Sequence, residues 1–142
     1  MSNHQTTSWV LALAMVVSAE GCRARPETTA RQVVVWEERA SWSGRESMQT
    51  ESFIGSTGML RLRWDARNPA APSEGSLRIT LHSAVSGRPL AVALEHEGTG
   101  RDVAYVSEDP RVFYLVVESA DLEWSVSVDE GMAAIATEPV TR

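Results

Sequence analysis

The chain has 142 residues, 43% of them hydrophobic and 23% charged, which suits one globular domain with short extensions. Thirteen basic residues against nineteen acidic ones leave a formal net charge of -6. That balance speaks against broad nucleic-acid binding, which needs a basic surface to neutralise phosphates. Every basic side chain is arginine, the arginines are scattered, and the single cysteine, Cys22, excludes an internal disulfide.

From the N-terminus, Trp9 to Ala19 (WVLALAMVVSA) is an unbroken apolar run. It falls short of the roughly 20 apolar residues that a membrane-spanning helix needs and fits the hydrophobic region of a signal peptide. Small residues follow, then Cys22, then the polar Arg23, Arg25, Pro26 and Glu27. The stretch Ala19-Glu20-Gly21-Cys22 resembles the lipobox of bacterial lipoprotein precursors, although Glu20 stands where that family carries a small uncharged residue. The resemblance implies a signal peptide over 1–21, acylation of Cys22 and a membrane anchor through that lipid. It implies a cell-envelope location, in the outer membrane or periplasm. The rival reading is ordinary signal-peptidase cleavage and secretion. Residues 22–31 read as a tether.

The folded domain is expected over 32–129 and reads as β throughout. Leu60, Leu62 and Trp64 alternate with Arg61, Arg63 and Asp65, giving one apolar and one charged face. Leu77, Ile79 and Leu81 alternate with Arg78, Thr80 and His82; Leu122, Trp124, Val126 and Val128 alternate with Glu123, Ser125, Ser127 and Asp129. Weaker strands are expected over 33–38, 90–95 and 102–107. Residues 111–119 (RVFYLVVES) are apolar on both faces and predict a central strand with its outer side covered. Turn signals at Asn68-Pro69, Pro72 to Gly75, Ser86 to Pro89, Gly98 to Gly100, Asp109-Pro110 and Ala120-Asp121 separate these segments. Short strands at this spacing predict an all-β antiparallel sandwich of about seven to eight strands. Residues 130–142 show no strand pattern and are expected to form a flexible tail.

Trp42-Ser43-Gly44, the strand LRLRW, the segment Val112 to Val117 and the ending Trp124 to Val128 resemble jelly-roll sandwiches of bacterial exported proteins, such as pre-peptidase C-terminal and CUB-like domains. The resemblance implies an accessory module that binds or spaces and does not catalyse.

The chain contains no Gly-rich phosphate loop, His-Glu-x-x-His helix, paired-cysteine motif or Gly-x-Ser-x-Gly elbow. No catalytic residue is therefore assigned and no cofactor is expected. Glu95, His96 and Glu97, with His82 nearby, are the densest group of metal-ligand types. Period-two geometry points His96 away from the two glutamates, so one strand cannot aim all three at one ion. Asp102, Glu108, Asp109, Asp121, Asp129 and Glu130 fall near expected loop ends, where calcium ligands of sandwiches cluster. Trp64 and Trp124 belong on the core side of their strands. Trp42 in its loop-like setting, Tyr105 and Tyr114 are the candidate contacts for an envelope protein or glycan. A two-sided apolar strand also allows an assembly subunit docking through Val112, Tyr114 and Val116.

Overall fold

The computed structural model describes residues 28–139, and these are all-β. Nine strands build it: β1 (Thr28–Gly44), β2 (Met48–Gln49), β3 (Phe53–Gly55), β4 (Met59–Arg67), β5 (Ser76–Ser83), β6 (Pro89–Glu97), β7 (Gly100–Ser107), β8 (Arg111–Ala120) and β9 (Glu123–Pro139). One sheet runs β1-β9-β4-β7. The other runs β2-β8-β5-β6, with β3 also paired to β8. All registered pairings are antiparallel. The sheets close over a shared core, which makes the domain a β-sandwich.

The alternation seen in the sequence sets this core. Leu60, Leu62, Trp64 and Ala66 of β4 face Leu77, Ile79 and Leu81 of β5 and Phe113, Leu115 and Val117 of β8, with Trp124, Val126 and Val128 of β9 completing the layer. Each buried Leu, Ile or Phe contributes about 1.5–3 kcal/mol relative to exposure, so this layer dominates the stability. Trp64 and Trp124 are buried as expected, and Trp124 Nε1 donates to the Glu46 carbonyl at 3.0 Å.

Left-handed backbone closes the tight corners. Gly58 has φ +71°, and a Cβ there would lie 1.7 Å from the Glu108 carbonyl oxygen. Gly98 (φ 74°) turns β6 into β7 within the expected Gly98-Thr99-Gly100 corner.

Three expectations are corrected. The segment 130–139 is not a tail: β9 continues to Pro139, paired residue by residue with the start of β1. Correspondingly, β1 begins at Thr28, inside the expected tether, and runs past Glu38 to Gly44. The period-two signal was faint over 33–36 and 131–136, where apolar or small side chains fall on both faces. Trp42 is not in a loop but in β1, where it packs against the core. The strands number nine, in keeping with the expected sandwich; β2 and β3, two and three residues long, are too short to show a period. Cys22 and the apolar run before it lie outside the described residues, as do residues 140–142.

Candidate functional site

Charge and aromatic surface meet on the outer face of the β1-β9-β4-β7 sheet. Alternation along β4 turns Arg61 and Arg63 outward, and the ladder sets Arg61 opposite both Asp129 of β9 and Tyr105 of β7. The Asp129 carboxylate, 2% exposed, is gripped by two arginines. Arg61 Nε donates to Oδ2 at 2.8 Å, while Arg63 donates Nε to Oδ2 at 2.8 Å and an Nη to Oδ1 at 3.0 Å. Arg63 also reaches Glu38 at 2.7 Å. Burial pushes the Asp129 carboxyl up, but the hydrogen bonds and charges of Arg63 and Arg61 outweigh it and hold the group below its ordinary value.

Arg61 extends the cluster into an aromatic surface. Its guanidinium carbon lies 4.6 Å from the Trp36 ring centroid, within cation–π range. Trp36 in turn meets Tyr105 at 5.8 Å between centroids. Gly131, opposite Trp36 in the ladder, makes this possible: a Cβ there would meet the indole at 3.1 Å and the Met59 sulfur at 2.7 Å. Tyr105 remains 67% exposed, and its ring is the part of the cluster most open to solvent.

The neighbouring residue faces the opposite way. Glu130 is fully buried beside Leu60, at the end of the core. A β-bulge in β1 between Glu38 and Ala40 redirects Arg39, whose Nε donates to Glu130 Oε2 at 2.7 Å. The Thr57 backbone N–H donates to Oε1. Burial raises this carboxyl's pKa too, but the Thr57 and Arg39 contacts outweigh it and lower the group below the usual range. Both acids are thus fixed as carboxylates, and neither is set up to donate a proton near neutral pH. Asp129 and Glu130 lie inside β9, not at a loop end, and arginines supply their counter-charge.

The remaining candidates are dispersed. Glu95 pairs with Arg78 at 2.8 Å. His96 tilts against Trp64, with 4.8 Å between ring centroids, and its Nε2 lies 3.3 Å from the Thr99 carbonyl. Glu97 closes β6, Asp102 accepts the Val103 N–H, and Asp109 meets Arg111. Among the described residues no three His, Cys, Asp or Glu side chains converge on a point that could hold an ion.

Trp42, Tyr105 and Tyr114 occupy three different places. Trp42 faces inward, 6.0 Å from the Phe53 ring, with Nε1 donating to Glu51 at 2.6 Å. Tyr114 is on the outer face of the other sheet, stacked on His82 at 5.0 Å, and donates to the Gly87 carbonyl at 3.3 Å. His82 and the Gly87 carbonyl therefore meet Tyr114 on the outer side of β8, which is flanked by β5 on one side and by β2 and β3 on the other. Of the three, only Tyr105 belongs to the arginine–aromatic cluster. Trp36 escaped the sequence reading because its partners, Arg61 and Tyr105, come from strands 25 or more residues away, brought beside it only by the ladder. No family model, curated protein or solved structure matches this chain.

Proposed function

We propose that this chain is an exported, lipid-tethered envelope protein whose β-sandwich presents a surface to an envelope protein or glycan and performs no catalysis. The observation that carries the reading is the apolar run Trp9 to Ala19 ending at the lone thiol of Cys22, with only the polar stretch 23–27 between it and the first strand at Thr28. Several acyl chains on Cys22, each burying methylenes at about 0.8 kcal/mol apiece, would anchor the sandwich stably. The absence of catalytic motifs in the sequence agrees, as does the locking of Asp129 and Glu130 into ion pairs. The presenting surface is the Trp36–Arg61–Tyr105 cluster, whose exposed ring offers an apolar face for stacking on a sugar or a partner side chain.

Globomycin treatment of an expressing strain tests the tether. Precursor should accumulate, and the mature N-terminal peptide should begin at Cys22 with acyl mass. A mature chain beginning at Glu20, or at Cys22 without added mass, would refute it. Tyr105→Ala should weaken retention on a glycan or envelope extract at least severalfold while leaving the melting temperature nearly unchanged.

A further inference from the structure

The pairing of β1 with β9 extends past the sandwich. Nine registered pairs, Thr28↔Pro139 to Trp36↔Gly131, form a two-stranded ribbon, because β4 stops pairing with β9 at Glu130. At about 3.3 Å per residue the ribbon is roughly 30 Å long. Its middle carries no charge: residues 32–36 are QVVVW and 131–137 are GMAAIAT. Opposite residues share a face, so Val33 and Val35 stand with Ala134 and Met132 on one side, and Val34 with Ala133 on the other. Both faces are therefore apolar, where a solvated antiparallel ribbon should have at least one polar face. Val34, Val35 and Ile135 are 46%, 48% and 74% exposed. Among the described residues no strand pairs the outer edge of β1, and its middle has neither the lysines nor the proline that usually protect such an edge.

We propose that the outer edge of β1 pairs antiparallel with the same edge of a second copy of this chain, on a two-fold axis at Val34. The inference goes beyond the tether reading and does not depend on it. Charge selects both the occupant and the register. Centring on Val34 sets Val33 opposite Val35 of the other copy, and Arg31 opposite Glu37, so the two-fold produces two ion pairs. Moving the centre to Val35 would bring Arg31 to Arg39, whose side chain is turned to Glu130, and moving it to Val33 would leave Arg31 facing Val35, so neither register forms the two ion pairs. The equivalent self-pairing of the β9 edge, centred on Ala134, would oppose Glu130 and Glu138 and is disfavoured. The ordering β9-β1-β1-β9 also converts a two-stranded ribbon, marginal alone in water, into four strands with continuous apolar faces.

The test uses the full chain in mild detergent. Sedimentation should give a dimer. Arg31→Glu alone and Glu37→Arg alone should each weaken it about tenfold or more, since each sets two like charges against each other, and the double exchange R31E/E37R should restore it. In a Cys22→Ser background, mild oxidation should cross-link Val34→Cys between copies efficiently. Val33→Cys should cross-link poorly, because in this register it faces Val35 of the other copy. A monomer at high micromolar concentration would overturn the proposal. So would a dimer indifferent to both charge reversals, or equal cross-linking at the two positions. Arg31, Val34 and Glu37 are exposed and Val33 is half-buried, so the variants should keep the parent's circular dichroism.

Discussion

Two adjacent residues, Asp129 and Glu130, are the buried carboxylates of the described domain. They project to opposite sides of β9, and each is removed from water and neutralised by arginine. Losing one partner of such a pair costs more than the pair contributes, because the remaining charge stays buried. Arg39→Ala should therefore destabilise the domain by about 3 kcal/mol, measured by chemical denaturation. Both carboxyls titrate lower in the folded chain than their ordinary values of 3.8 and 4.5, so the unfolded chain binds protons more readily. Their contribution is present in full above about pH 5 and is lost as pH falls through the depressed folded values. Stability measured between pH 6 and pH 2 should show this acid limb, and the pair Asp129→Asn with Glu130→Gln should flatten it. A steric prediction belongs at the same scale. Gly58→Ala meets both a positive φ and the Glu108 carbonyl, and should lower stability by at least about 2 kcal/mol.

Single elements differ in how firmly they are held. The body of β9, from Trp124 to Glu130, is paired on both sides by β1 and β4 and its alternate residues enter the core. Its continuation to Pro139 is paired only by β1. Hydrogen exchange should therefore show strong protection of amides 124–130 and markedly faster exchange over 132–138 in dilute monomeric protein. Self-association through β1 would slow exchange on the β1 side of the ribbon more than on the β9 side. The same difference explains the reading of 130–142 as a tail. A buried face imposes period two on a strand, and residues 132–138 hold no buried position to impose it. β8 is the opposite case. Its two-sided apolar pattern announced a central strand, and His82 and the Gly87 carbonyl meet Tyr114 on its outer side.

At the scale of the whole molecule, stability rests on one layer between two sheets, with no disulfide available to it. Leu62, fully buried at its centre, should cost about 3 kcal/mol when replaced by alanine, read from a shift in the denaturation midpoint. The strands that build this layer were legible, since the apolar residues alternating along Leu60 to Trp64, Leu77 to Leu81 and Leu122 to Val128 are all buried. The candidate surface was legible only in pieces. Alternation placed Arg61 and Arg63 outward, and Tyr105 stood out as an aromatic. That Asp129, Trp36 and Tyr105 would gather around Arg61 depends on strand order, which local periodicity does not encode.

By itself the sequence determined the class of the fold, the core-facing residues of its main strands and most of its turns. Each of these follows from local chemistry: side-chain period, glycine tolerance of positive φ, and proline and aspartate in corners. Only the tertiary structure decided that β1 and β9 pair along their whole length, that a bulge aims Arg39 at Glu130, and that the metal-ligand types are scattered. Those outcomes depend on contacts between residues up to about a hundred positions apart, such as Thr28 and Pro139, where register and not composition sets which side chains meet.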